Sequence, residues 1–309
     1  MSDLYCYQSL YFHSFAELNV LRGTFIANCI LNGFLTHTAI MLNIVTIYAI
    51  WKTSTIPKPV KTLLLSLAFS DFGVGLLAQP IYTAFLVSWL QLNDPSCNVY
   101  RLFSICGYLF SMASFSAVVA VSVDRFLAVH LHLRYHEFVT HKRVVAVVIS
   151  IWVFSAFVSS MVLWASVSTL NNMISFTGAF CFIINAVMYI RIYLIVRQHK
   201  NQIQSLQVND GSQSGEMTNF ASLIKSTVGV FYVYLVFLIC YLPYGISVVA
   251  IKIIGPSIAF KKVFLFSMIF VNLNSSLNPV LYCWKMRNIR HAILHILRNM
   301  SWNRNNPSH

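Results

Sequence analysis

Asp71 closes the run Leu67-Ala68-Phe69-Ser70-Asp71 inside an otherwise apolar stretch, where a carboxylate is costly unless polar partners or a cation meet it. Asn43, Asn274, Ser275 and Asn278 lie in other apolar stretches and are its natural partners. Such a set can hold a cation, or simply tie helices together through hydrogen bonds. Asp124 and Arg125 are adjacent, so the carboxylate can hold the guanidinium by a charge-assisted pair whose release would free a cation for a partner. The plainer reading of Arg125 is an interface anchor with its head in water. Pro243 and Pro279 each remove a backbone donor and should bend the helices that carry them. Phe237 and Tyr241 are one turn apart, as a packing switch or as ordinary core. Tyr189 and Tyr282 carry hydroxyls inside apolar stretches, where each needs a partner and either can serve the other. His130, His132 and His136 form the one histidine group, beside Arg134, and read as a solvated loop better than as a metal site. No metalloprotease, nucleophile-elbow or phosphate-loop pattern occurs, so no catalytic role is expected.

The elements that must position these residues follow from composition. Of 309 residues, 58% are hydrophobic and 9% charged, against about 25% charged in soluble domains. The apolar residues fall in seven blocks, roughly 24–51, 60–89, 99–129, 144–167, 173–196, 223–251 and 260–282. Each can cross a hydrocarbon core of about 30 Å. In lipid a helix satisfies its own backbone groups, and the blocks are too long for barrel strands, so the fold class is an all-α membrane protein, a seven-transmembrane helix bundle. After Tyr282, Met286, Ile289, Ile293, Ile296 and Leu297 alternate with Lys285, Arg287, Arg290 and Arg298 at helical spacing, the pattern of a short amphipathic helix on the inner leaflet. The division is an outer amino-terminal segment 1–23, a bundle 24–282, and an amphipathic helix and tail 283–309. The longest polar connection, 198–222, reads as a flexible inner loop.

Counted by alternating sides, sixteen of the 21 Lys and Arg fall on one side and five on the other. The positive-inside rule then puts the amino terminus outside and the carboxyl terminus in the cytoplasm. The net charge of +13 is scattered between blocks without a basic, aromatic-studded face, so it speaks for topology and against nucleic acid. The seven cysteines, Cys6, Cys29, Cys97, Cys106, Cys181, Cys240 and Cys283, show no Cys-x-x-Cys spacing. The start of the chain lacks a cleavable leader pattern, which leaves the first block as an uncleaved signal anchor.

From the first block to the amphipathic segment the chain resembles the rhodopsin-like G protein-coupled receptors. The motifs come in order, one per helix: Asn43; Leu67-Ala68-Phe69-Ser70-Asp71; Asp124-Arg125-Phe126 with Leu133-Arg134-Tyr135 after it; Trp152; Phe237 with Cys240-Tyr241-Leu242-Pro243; and Asn278-Pro279-Val280-Leu281-Tyr282. The resemblance implies a plasma-membrane receptor that binds an extracellular ligand and activates a heterotrimeric G protein. It implies Asp71 as a sodium ligand favouring the inactive state, Arg125 as the coupling switch, and the sixth helix swinging about Pro243. In many relatives an acidic residue at the inner end of the sixth helix also locks the Arg. Here Leu223, Ile224 and Lys225 stand there, so ligand-independent signalling is expected.

Departures from the family pattern bear on the ligand. Gly107 stands where amine receptors carry an Asp, and Asn272 where opsins carry the retinal Lys, which disfavours an amine and retinal. The second outer loop, read as 168–172, has no Cys for the usual disulfide. Cys97 can pair with Cys6 outside the cell or stay free. The short outer loop and the run Met188-Tyr189-Ile190-Arg191-Ile192-Tyr193 resemble the melanocortin, adenosine and cannabinoid branch, without the acidic cluster a melanocortin peptide needs. A ligand pocket is expected among Tyr108, Met112, Tyr244, Phe266 and Asn272, each of which plain helix packing would equally explain. Two other classes stay open at this point: a weakly signalling scaffold or decoy, suggested by Tyr241 and the missing disulfide, and a transporter, for which intramembrane charges are few and no inverted repeat is evident.

Overall fold

A computed structural model describes residues 15–54, 56–93, 96–131, 134–206, 214–285 and 289–294. Among them no strand occurs, and seven helices are long and apolar enough to cross a membrane. The first span is Phe15–Lys52, and the third, fourth and fifth are Cys97–Leu131, His141–Ser160 and Val167–Leu206. The sixth is Ser214–Ile254 and the seventh Ile258–Lys285. The second is composite: Lys58–Gly73, a π-helical turn Val74–Ala78, then Gln79–Leu90. Pro80 stands two residues after that turn, and a π turn is one of the ways a helix absorbs a proline's missing donor without breaking.

The sequence writes four of the helix starts as hydroxyl caps. Ser96, Thr140, Ser166 and Ser257 each accept from the backbone N–H three residues on, that of Val99, Arg143, Thr169 and Phe260. Each cap satisfies an orphan donor of the first turn. The sixth span ends at Gly255, whose φ of 99° is the left-handed conformation that closes helices. Pro243 and Pro279 lie inside continuous helices.

Several bounds differ from those read in the sequence. The first helix begins at Phe15, nine residues before the apolar block, because Glu17 is drawn into an ion pair with buried Lys261 at the outer end of the seventh span, 2.6 Å away. Residues 168–172, expected as an outer loop, are the first turns of the fifth span, whose cap is Ser166. The inner connection is shorter than 198–222, since helix continues to Leu206 and resumes at Ser214.

The bundle is polar inside and apolar outside, as lipid solvent requires. Asn28, Asn32, Asn43, Thr46, Ser70, Asp71, Gln79 and Asn274 are fully buried, while Phe176, Phe180, Ile183, Val187, Ile190 and Leu194 of the fifth span are exposed. Close approach is bought by small residues: a Cβ on Gly73 would sit 2.2 Å from the Phe110 ring, so only glycine lets the second and third spans meet there. Trp152 then closes the fourth span onto this pair, donating to Ser66 Oγ at 3.1 Å and meeting Phe110 edge to face. At the inner end, residues 289–294 are helical, and Ile289 and Ile293 are buried against Ile50, Ile56 and Val60. The remaining apolar residues read into that amphipathic helix, Met286, Ile296 and Leu297, lie outside the described residues.

Candidate functional site

Asp71 is fully buried at mid-bundle and is met from two sides. Ser114 Oγ of the third span donates to one carboxylate oxygen at 3.1 Å, and Asn278 Nδ2 of the seventh donates to the other at 2.7 Å. The Ser275 hydroxyl also turns to the carboxylate. Asn43 does not reach Asp71; its amide donates to the carbonyls of Ala39 and Ser275, at 2.8 and 2.9 Å, pinning the first span to the seventh. Neither side-chain atom of Asn274 has a hydrogen-bond partner, nor do Asn278 Oδ1 and Tyr282 Oη, all buried. Of the network read from the sequence, then, Asp71, Ser275 and Asn278 converge, Asn43 acts at one remove, and Asn274 holds unspent polar capacity. Ser114 went unread, because a serine in an apolar helix carries no linear signal of what it faces.

At the inner end of the third span, Arg125 Nε donates to Asp124 Oδ2 at 2.9 Å, and Nη2 pairs with the same oxygen. The other carboxylate oxygen accepts from Tyr135 Oη at 2.6 Å. Tyr135 sits on a one-turn helix, Tyr135–Phe138, in the second inner loop. Burial, and then the negative charge of Asp124, hold its phenol above the usual range, so it stays a protonated donor. Asp124 and Arg125 are both buried. Tyr135 was legible as part of a motif but not as the third member of this group.

Between the third, fifth and sixth spans lies an aromatic cluster. Phe237 stacks on Tyr241 with centroids 4.4 Å apart and planes 5° apart. Phe115 touches both rings, at 5.1 and 6.3 Å, and Phe182 at 5.0 Å. The Tyr241 hydroxyl is turned toward Ser111. One level inward, Tyr189 Oη shares a hydrogen bond of 3.0 Å with Ser122, and its ring stacks on Tyr234 at 5.3 Å. Tyr189 and Tyr282 are not brought together; each keeps to its own side.

The five residues expected to line an outer pocket have different surroundings. Met112 is buried and Tyr108 packs against Met161 and Leu170. Tyr244 meets Phe264, at 5.7 Å, rather than Phe266. Phe266 forms with Val263 and Phe270 an exposed stripe at helical spacing, the lipid-facing side of the seventh span. Asn272 is committed inward: its side-chain amide donates to Asn32 Oδ1 at 2.5 Å, and its backbone carbonyl accepts from Gln79 Nε2 at 3.2 Å. Cys97 is disulfide-bonded, while Cys29, Cys106, Cys181, Cys240 and Cys283 are free. Cys6 lies outside the described residues. No group of three or more metal-ligating side chains is found among the described residues.

Comparison with known proteins meets this arrangement of spans and motifs directly. The family described as 7 transmembrane receptor (rhodopsin family) matches residues 42–173 and 161–282. The chain belongs to that family. The receptor is 25% identical to melanocortin receptor 3 of the rat, Rattus norvegicus, over 84% of this chain and 81% of that one. It is 23% identical to adenosine receptor A2b of the chicken, Gallus gallus, over 91% and 90%. It is also 25% identical to melanocortin receptor 4 of the zebrafish, Danio rerio, over 83% and 80%. The protein is a G protein-coupled receptor of the rhodopsin-like class, a multi-pass membrane protein whose general business is signal transduction. The three relatives named are receptors.

Proposed function

We propose that this receptor sits in the plasma membrane with its amino terminus outside, that an extracellular ligand opens the inner end of the bundle, and that Arg125 is the group the opening delivers to a heterotrimeric G protein. The observation that carries the reading is the Asp124, Arg125 and Tyr135 group. A buried guanidinium is retained by a carboxylate of its own helix that is itself held by a loop tyrosine, an arrangement that outward movement of neighbouring spans can unmake. A ligand that prefers the open bundle shifts the population by its difference in affinity for the two states. The sixth span bends about Pro243, Tyr189 leaves Ser122, and its hydroxyl and that of Tyr282, which has no partner at rest, meet across the opened space. Relatives are named for two different ligands, a melanocortin and adenosine, so likeness carries no single ligand to this chain. The lack of an acidic residue at Leu223, Ile224 and Lys225 supports signalling without ligand. The disulfide at Cys97 fits Cys6 as its partner in the oxidising exterior.

The residues around Asp71 fit a sodium ion. The donor set is hard oxygen, from Asp71, Ser114 and Ser275, and the Asn274 amide, without a hydrogen-bond partner, lies in the same seventh-span segment. Bound there, the ion would neutralise the carboxylate and favour the closed bundle.

The deciding experiment is a G protein dissociation assay in cells without added ligand, comparing wild type with Arg125→Ala at matched surface abundance. Basal signal in the wild type that disappears in the variant is the expected result. Equal basal signal in both would remove Arg125 as the coupling group.

A further inference from the structure

A cleft of about 430 Å³ runs up the outside of the bundle between the third and fourth spans, lined also by Leu63 of the second and Cys181 of the fifth, and away from every group used above except Asp124. Its walls are Val123 and Leu127 of the third span and Val144, Val147 and Ile151 of the fourth; Phe138 of the inner loop forms its floor and Asp124 the one acidic point on its wall. Asp124 is already taken by Arg125 and Tyr135. Lining residues on the third span extend from Ser116 to Leu127. At 1.5 Å per residue that is about 16 Å, close to half of a hydrocarbon core of about 30 Å. The cleft is therefore one leaflet deep. It is open toward the membrane, since Val147 on its rim is 46% exposed.

Its inner mouth is charged. Arg143, on the first turn of the fourth span, lines the cleft, and its Nη1 donates to the carbonyls of Glu137 and Phe138, at 3.3 and 2.8 Å. Both acceptors are neutral, and among the described residues no carboxylate pairs with Arg143. An apolar channel one leaflet deep, with an uncompensated guanidinium where the headgroups begin, is complementary to an anion with a long apolar tail. The supply of such molecules is the inner leaflet itself, which is anionic.

We propose that this cleft binds an anionic phospholipid of the inner leaflet, with one acyl chain along Val123, Leu127 and Val147 and the phosphate on Arg143. The inference rests on the orientation proposed above. Its consequence is regulatory: the chain lies against Phe138 and Val139, at the end of the short helix that holds Tyr135 on Asp124, so leaflet composition bears on the group that retains Arg125.

The test uses the purified full-length receptor in phosphatidylcholine nanodiscs. These contain a trace of phosphatidylserine carrying a photoreactive acyl chain, or the same chain on phosphatidylcholine, with cross-links mapped by mass spectrometry. Both leaflets of a nanodisc are alike, so the result depends neither on orientation nor on coupling. Peptides carrying Val123 and Val147 should be labelled about fivefold more by the serine lipid, the weight of one cation at an anionic surface. Arg143→Gln should bring labelling down to the phosphatidylcholine level. Lys142→Gln, which changes an exposed cation of the same turn outside the cleft, should leave it unchanged. Ala120→Trp, filling the cleft, should abolish it if the variant folds; the two exposed variants decide the matter if it does not. Equal labelling by both lipids, or a preference that survives Arg143→Gln, would overturn the proposal.

Discussion

The two halves of this bundle are held by different forces. Where the first, second and seventh spans meet, contacts are directional: Asn43 to the Ser275 carbonyl, Asn278 to Asp71, Asn272 to Asn32, and Glu17 to Lys261 at the outer rim. Where the third, fifth and sixth meet, rings carry most of the contact: Phe237 stacks on Tyr241 and Tyr189 on Tyr234, while Phe115 meets the first pair at a tilt. A buried amide that slides by an ångström or two loses its bond and is left unsatisfied, whereas a stacked ring that slides keeps most of its contact. The first side is built to stay and the second to move. Pro243, the proposed hinge, lies on the side of the rings.

The largest effect that sharpens this contrast is expected from Phe237→Ala. The ring is 1% exposed and central to the cluster, so truncation should cost about 3 kcal/mol, the low end for a buried Phe→Ala because the outside solvent is lipid. In detergent, thermal unfolding should show the loss, and ligand-independent signalling should fall with it. A variant as stable as wild type would mean that the stack does not hold the moving half.

Asn278→Ala comes next, at about 2 kcal/mol for one hydrogen bond to a buried carboxylate. If the first half is rigid, this loss should appear as stability with little change in the potency of G protein activation by any given ligand. A large shift in potency without a change in stability would reverse the assignment of the two halves. Asp71→Asn keeps the shape and removes the charge. In wild type, sodium at ten times its dissociation constant should raise stability by about 1.4 kcal/mol, and in the variant that rise should vanish. Persistence of the rise would place the ion elsewhere.

How much of this could be read from the chain differs between the halves in the same way. Asp71, Asn278 and Arg125 announce themselves because a charge or amide in an apolar block must be explained, and the seven spans follow from block length alone. Ser114, Ser122 and Tyr135 do not, since a hydroxyl in a helix is equally at home bonded to its own backbone, as Ser104 is to the Tyr100 carbonyl. The misplacement of Phe266 was avoidable: Val263, Phe266 and Phe270 already mark a face pointing away from Leu265, which is buried. That 168–172 is helix and not loop was also legible, through Ser166 and its place three residues before Thr169. Asn272 was named for its register with another residue type, and what it touches, Asn32 and Gln79, depends on how closely three helices approach. No linear pattern encodes that approach except where a glycine such as Gly73 demands it.

The smallest effect is also the most discriminating, because two substitutions break one hydrogen bond with opposite results. Ser122→Ala removes the resting partner of Tyr189 and leaves its hydroxyl free for Tyr282. A bond of this kind between membrane helices averages about 0.6 kcal/mol, so the balance should tip toward the open state roughly threefold and basal signalling should rise accordingly. Tyr189→Phe breaks the same resting bond but also removes the hydroxyl that the open state needs, so basal signalling should fall below wild type. Dissociation of a G protein in unstimulated cells, normalised to surface abundance, measures both. If the two variants move together, the Ser122 contact is mere packing and Tyr189 has no second position. If they part, the stacked half of the bundle has two states, and the hydroxyl of Tyr189 is what tells them apart.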